Sequence, residues 1–147
     1  MSVDVLATRL QAEKFRDPDT TANGEARARV ALRGLETLWF NTGTLCNLTC
    51  AHCYIESSPS NDRLAYLTTA EVAGYLDEIA RDDHQTRLIG FTGGEPFMNP
   101  DLPDMLELVL ARGFSALVLT NAMRPMAKMK RQLAELRGHG ARLEFRV

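Results

Sequence analysis

The apolar positions of residues 37–147 fall into short continuous runs that alternate with longer, helix-like patterns. Apolar runs at 38–40, 88–91 and 116–119 each end in polar residues, which predicts three buried strands. Over 142–147, Leu143, Phe145 and Val147 alternate with charged residues, which predicts a fourth strand. Between the runs, apolar residues recur three or four positions apart, as on amphipathic helices.

The helix boundaries follow from capping signals. Thr68 and Glu71 have the spacing of a capping box and should begin the first helix. Asn99 as N-cap and Pro100 in the first turn should begin the second, and a third should start near Pro125. The inward faces are expected to carry Val72, Leu76, Ile79 and Ala80; then Met105, Leu106, Val109 and Leu110; then Met126, Met129, Leu133 and Leu136.

Residues 1–36 have a mixed pattern and are predicted to form an N-terminal leader, with the core domain at 37–147. The apolar spacing of residues 3–15 suggests a helix, and alternation over 28–33 suggests a strand. Turn signals lie between them, at 17–19 and 23–24.

The order strand, helix, strand, helix, strand, helix, strand predicts an α/β fold with a parallel sheet. In such folds the functional site lies at the carboxyl ends of the strands. The unusual residues of this chain follow the strands. Three cysteines come after the first, Gly93-Gly94-Glu95 after the second, and Thr120-Asn121 after the third. These segments are therefore expected to meet at one edge of the sheet.

Composition narrows the function classes. The 147 residues are 45% hydrophobic and 24% charged, with a net charge of -2, as in a globular protein without a basic surface for nucleic acid. No apolar run is long enough to span a bilayer. Asp4 and Arg9 interrupt any signal-peptide core. We therefore expect a cytoplasmic protein without nucleic-acid or membrane partners.

The three cysteines, Cys46, Cys50 and Cys53, lie within eight residues of one another. An odd number without an export signal is a poor disulfide framework, so metal ligation or catalysis is favoured. Closely spaced thiolates suit an iron–sulfur cluster, and with only three of them one iron would stay open. Zinc is the alternative, but it usually takes four ligands, and His52 lies too close to its neighbouring cysteines to complete a tetrahedron easily.

The string CNLTCAHCY resembles the CxxxCxxC signature of the radical S-adenosylmethionine (radical SAM) superfamily. TGGEP at 92–96 resembles the Gly-Gly-Glu motif after that family's second strand. LTNAM at 119–123 is similar to its Thr-Asn-Gly, with Ala122 where glycine is common. The resemblance, strongest to the branch of molybdenum-cofactor biosynthesis protein A and peptide-modifying enzymes, implies the N-terminal part of a partial TIM-type (βα)6 barrel. Because residues 37–147 hold only about four parallel strands, we expect a truncated barrel.

The resemblance also implies roles for individual residues. The three cysteines would ligate a 4Fe–4S cluster, and the amino and carboxylate groups of SAM would chelate the fourth iron. The implied SAM contacts are the close backbone approach at Gly93 and Gly94, the carboxylate of Glu95 held extended by Pro96, an adenine contact at His52, a cluster shield at Tyr54, and a pocket contact at Asn121.

The implied activity is radical chemistry of the oxidoreductase type. The reduced cluster would cleave SAM to a 5′-deoxyadenosyl radical, which would abstract hydrogen from an unidentified small molecule or peptide. A one-electron donor such as flavodoxin or ferredoxin is implied as a partner. Two alternatives stay open: a non-catalytic fragment that binds iron–sulfur and SAM, and a small zinc-binding domain.

Overall fold

The structure, a computed structural model, describes residues 17–147. The helix predicted over residues 3–15 lies outside the described residues. The chain divides into one compact unit that ends at Arg33 and a larger one that runs from Gly34 to Val147.

Residues 17–33 of the first unit contain a turn and little regular structure. An antiparallel bridge joins Thr20 to Ala26, and the Gly24 amide donates to the Thr21 carbonyl in the turn between them. The strand predicted at 28–33 is wrong, since these residues adopt no regular structure and Val30 is 94% exposed. Alternation is not sufficient for a strand, because a strand is stabilised by a paired neighbour. No ladder partner for this segment occurs among residues 17–147.

The second unit is built on a four-stranded parallel sheet. Its strands follow the chain order β1-β2-β3-β4. They span β1 Thr37–Asn41, β2 Leu88–Thr92, β3 Ser115–Leu119 and β4 Leu143–Arg146. All four predicted strands and the α/β class are therefore confirmed, and the arrangement is part of a TIM-type barrel.

Helix α1, Thr69–Arg81, begins as the capping box predicts. The Thr68 hydroxyl accepts from the Glu71 amide, and the Glu71 carboxylate accepts from the Thr68 amide. The helix buries Val72, Leu76 and Ile79, whereas Ala80, also predicted inward, is exposed.

Helix α2, Leu102–Ala111, begins later than predicted. A short 3-10 turn, Pro96–Met98, precedes it, and Asp101 occupies the N-cap position. Asn99 still serves the helix start indirectly, since its side-chain oxygen accepts from the Asp101 amide at 2.9 Å. The expected apolar face is buried, and Gly113, with a φ of 91°, closes the element as predicted.

The third predicted helix is divided into three pieces. These are α3 Arg124–Lys128, α4 Lys130–Glu135 and a 3-10 segment Leu136–Arg142. The break lies at Met129, whose amide donates to the Met126 carbonyl three residues back. Met126, Met129 and Leu133 nevertheless pack against the core, as predicted.

The two faces of the sheet differ in packing. Phe40, Ile89 and Val118 belong to the core that the helices cover. On the opposite face, the indole of Trp39 lies on Gly90, its direct neighbour on β2. A Cβ atom at Gly90 would lie 2.2 Å from a Trp39 ring carbon, so only glycine allows this contact.

No helix in residues 17–147 is long and apolar enough to cross a membrane.

We predict that Gly90→Ala lowers the free energy of unfolding by about 1–3 kcal/mol, because the added methyl group forces the Trp39 indole to move. Urea unfolding measures the change. Gly74→Ala on α1 is the matched control: its Cβ would meet nothing within 4 Å, and alanine is favoured in a helix interior. A Gly90→Ala variant as stable as the wild type would contradict the packing of Trp39 on Gly90.

Candidate metal and cofactor site

The segment that carries the cysteines continues the pairing of β1 with β2 beyond the end of the sheet. We call residues 42–58 the cysteine loop. The Thr42 amide donates to the Thr92 carbonyl at 2.8 Å, the Gly94 amide to the Gly43 carbonyl at 2.9 Å, and the Glu95 amide to Leu45 at 3.0 Å. The cysteine loop is therefore attached to the β2 end by main-chain hydrogen bonds.

This attachment explains the two glycines after β2. A Cβ atom at Gly94 would lie 2.2 Å from the Leu45 carbonyl oxygen, and one at Gly93 would lie 2.6 Å from the Gly43 oxygen. Gly93 also has a φ of 136°, which side chains rarely allow. The close backbone approach expected toward SAM is thus present toward the cysteine loop. A SAM contact at these glycines stays a prediction.

The three cysteines have different surroundings within the loop. Cys46 is 7% exposed, Cys53 is partly buried and Cys50 is exposed. The Leu48 amide lies 3.4 Å from the Cys46 sulfur, and the Ser57 amide lies 3.3 Å from the Cys53 sulfur. Amide donors aimed at sulfur stabilise the thiolate form, which is the form that binds metal.

The two shielded thiols differ in acidity. Burial raises the pKa of Cys46, an effect that the Leu48 amide opposes and the nearby Glu95 carboxylate adds to. The backbone hydrogen bond from Ser57 is the largest influence on Cys53 and lowers its pKa. Cys53 is therefore the readier thiolate of the two.

The donor set fits an iron–sulfur cluster better than zinc. Three soft thiols occur on one loop, and His52, the histidine of that loop, lies next to Cys53 in sequence, which hinders a tetrahedral zinc site. Within residues 17–147, no three candidate ligands are already gathered as a metal-binding group, so the cysteine loop would have to close around the metal. Because the loop is tied to β2 at its beginning and joined to itself by the Leu45–Ser58 bridge, closure involves its middle.

The Glu95 carboxylate connects the end of β2 to the end of β3. It is 2% exposed. One oxygen accepts from the Thr120 hydroxyl at 2.7 Å and the Phe97 amide at 3.1 Å, and the other from the Asn121 amide at 2.8 Å. Glu95 is extended, as Pro96 predicts. The carboxylate is therefore already a structural acceptor for three donors.

Asn121 is the residue of β3's end that reaches the cysteine loop. Its side-chain nitrogen lies 3.0 Å from the Asn47 side-chain oxygen and 3.9 Å from the Cys46 sulfur. The segments predicted to meet at the carboxyl edge, from β1, β2 and β3, do meet there. A pocket contact from Asn121 to SAM stays a prediction.

The remaining candidates lie outside this network. Tyr54 is 96% exposed, and His52 is exposed as well. The tyrosine ring therefore covers neither shielded thiol in this structure, and its role as a cluster shield stays a prediction, as does the adenine contact of His52.

Sequence reasoning singled out Asn99 and Thr120 but missed the supporting role of each. Asn99 is buried, and its side-chain nitrogen donates to the Thr42 carbonyl at 3.1 Å and to Leu67 at 2.8 Å, so it anchors the start of the cysteine loop. Thr120 holds Glu95. Asn99 resembled a helix cap, and only its position four residues after Glu95 signalled a second role.

Comparison with known proteins agrees with the motifs. The family model of the Radical SAM superfamily matches residues 40–147, well over half of the chain. Fe-coproporphyrin III synthase of Methanosarcina barkeri is 31% identical over 97 residues, which is 66% of this chain and 24% of that protein. The subtilosin biosynthesis protein AlbA of Bacillus subtilis is 36% identical over 76 residues, or 52% and 16%.

A third relative is the GTP 3′,8-cyclase of Chlorobaculum tepidum, 31% identical over 67 residues, or 45% of this chain and 19% of that protein. The matched part of the chain thus corresponds to a quarter or less of each of these relatives' length.

We predict that Gly94→Ala lowers the free energy of unfolding by about 1–3 kcal/mol or more, since its methyl group would collide with main-chain atoms of Leu45. Hydrogen exchange of the Glu95 amide, which donates to that loop, should also become faster. Gly138→Ala, with nothing within 4 Å of its Cβ, is the control. Unchanged stability and exchange in Gly94→Ala would contradict the proposed reason for glycine.

We predict that the metal-free, reduced protein is alkylated by iodoacetamide at Cys53 at lower pH than at Cys46. Thiolate is the reacting form, a lowered pKa shifts its appearance to lower pH, and a raised pKa shifts it to higher pH. Mass spectrometry of each cysteine over a pH series measures both profiles. Alkylation of Cys46 at the same pH as Cys53, or at a lower pH, would contradict the surroundings described for the two thiols.

Proposed function

Because the chain belongs to the Radical SAM superfamily, whose members bind a 4Fe–4S cluster and SAM, we propose that residues 37–147 form the N-terminal part of a radical SAM core. Residues 1–36 would be a leader to it. In this proposal Cys46, Cys50 and Cys53 ligate three irons and SAM chelates the fourth. The observation that carries it is the convergence of the three-cysteine loop with the ends of β2 and β3 at one edge of the sheet.

The cysteine loop is suited to hold the cluster at a fixed position. Its beginning is held by the main-chain bonds to β2 and by Asn99, and its end by the Leu45–Ser58 bridge. Two sulfurs already receive amide donors, whereas Cys50 is exposed and free of such contacts among the described residues. We therefore propose that Cys50 is the ligand that moves most when the cluster binds.

The contribution of Glu95 to SAM binding is limited by its existing bonds. A carboxylate offers about four acceptor sites, and three are used by Thr120, Phe97 and Asn121. At most one further donor, such as an N–H of the SAM ammonium, can be accepted without breaking a bond. The other SAM contacts are proposed to come from the Gly93-Gly94 backbone, with His52, Tyr54 and Asn121 as additional candidates.

When bound, the reduced cluster supplies the electron that cleaves SAM into methionine and a 5′-deoxyadenosyl radical. The chain's part is to orient SAM at the sheet edge and to present the cluster to a one-electron donor. A flavodoxin or ferredoxin could approach on the exposed Cys50 side. The substrate would be a small molecule or a peptide, and the reducing cytoplasm would keep the thiols free. This oxidoreductase-type activity is proposed for the protein as a whole.

The test is anaerobic reconstitution of the 147-residue chain with iron and sulfide, then reduction, addition of SAM and measurement of 5′-deoxyadenosine by liquid chromatography. We predict product from the wild type and a loss of at least about a hundredfold in Cys50→Ala, because a missing ligand disrupts the cluster. Thr49→Ala, which alters an exposed neighbour on the same loop, should retain activity.

Two other outcomes favour the alternatives. A cluster that forms without yielding product would support the non-catalytic iron–sulfur and SAM-binding module. One zinc per chain and no cluster would refute the radical SAM proposal.

A further inference from the structure

We propose that Asn121 is a positioning residue for the cluster ligand Cys46. In this proposal the Asn121 side-chain amide donates a hydrogen bond to the Cys46 sulfur and thereby raises the reduction potential of the cluster. The inference rests on the proposed function, since it concerns the same site, but part of its test needs no cluster.

The geometry allows Asn121 to serve two acceptors together. Its side-chain nitrogen carries two hydrogens and lies 3.0 Å from the Asn47 side-chain oxygen and 3.9 Å from the Cys46 sulfur. The Leu48 amide lies 3.4 Å from the same sulfur on the local chain. Cys46 thus has one donor from its own loop and one from the end of β3, whereas the Cys53 sulfur has a donor from its own loop.

The orientation of the Asn121 amide is fixed from its other side. Its side-chain oxygen accepts from the Met123 amide at 3.1 Å, so a flip of the group would lose that bond and point oxygen at sulfur. Its main-chain amide donates to the buried Glu95 carboxylate. The next residue, Ala122, takes the left-handed conformation with a φ of 54°, and its amide donates to the Thr120 hydroxyl.

This chain of contacts gives the Glu95 motif a role beyond SAM binding. Glu95 holds the Asn121 backbone, the turn at Ala122 holds its side chain, and the side chain points at Cys46. Hydrogen bonds to cluster sulfurs stabilise the more negative, reduced state and so raise the potential. A reduced cluster is the state that the proposed SAM cleavage requires.

The test compares Asn121→Ser with Asn61→Ser. Serine at 121 can still accept from the Met123 amide, but its side chain is too short to reach Cys46. Asn61 is the control, because its side-chain amide makes a similar pair of bonds, to the Glu56 carbonyl and from the Arg63 amide, and neither bond is to a cysteine sulfur. The reconstituted proteins are titrated with dithionite against redox mediators and followed by electron paramagnetic resonance.

We expect Asn121→Ser to have a lower midpoint potential than the wild type, so that the reduced-to-oxidised ratio at a fixed potential falls several-fold. Asn61→Ser should match the wild type. Equal potentials for all three proteins would overturn the inference and leave the proposed function standing. A wild type that takes up no cluster would instead contradict the proposed function.

A double-mutant cycle on the metal-free protein tests the contact between Asn121 and Cys46 independently of the cluster. If the wild type or Asn121→Ser takes up no cluster, this cycle is the test of the inference. The unfolding constants of Asn121→Ser, Cys46→Ala and the double variant are measured in urea. A direct contact should make the double effect differ from the product of the single effects by at least about twofold. In the control cycle of Asn61→Ser with Cys46→Ala, the effect of the double variant on the unfolding constant should equal the product of the two single effects. Equal behaviour of the two cycles would overturn the inference.

Discussion

The close approach of two backbones at the end of the sheet is the constraint on which the rest of the site depends. Gly93 and Gly94 have no side chains, so residues 43–45 can run against them and accept amide hydrogen bonds from Gly94 and Glu95. Two strands of a parallel sheet thereby stay paired into the region of the candidate site. This pairing sets the position of the three cysteines, because Cys46 directly follows the attached segment.

The buried Glu95 carboxylate extends the same arrangement to a third strand. A carboxylate is costly to bury without donors, and Glu95 has three of them, two from the end of β3. Its burial therefore ties β2 to Thr120 and Asn121, and Asn121 returns to the cysteine loop. The Gly-Gly-Glu motif joins the cysteine loop to the sheet as well as lining a proposed cofactor site.

The sequence predicted the elements well and their mutual contacts poorly. The strands could be predicted because three of them are continuous apolar runs and the fourth alternates apolar with charged residues. The cysteines were recognisable because their spacing is short. Two of the three donors to Glu95, on Thr120 and Asn121, lie 25 and 26 residues away and carry no local signal. Asn99 looked like a cap of α2, but an intervening 3-10 turn moved the helix start to Leu102. The alternation at 28–33 misled because no strand within residues 17–147 pairs with it.

The central claim is that three cysteines at this edge leave one iron open for SAM. Electron–nuclear double resonance on the reduced, reconstituted chain, with SAM labelled at its amino nitrogen with 15N, addresses that claim directly. The account predicts a hyperfine coupling between the labelled nitrogen and the cluster, lost when SAM is omitted. A fully formed cluster that shows no coupling to labelled SAM would contradict it.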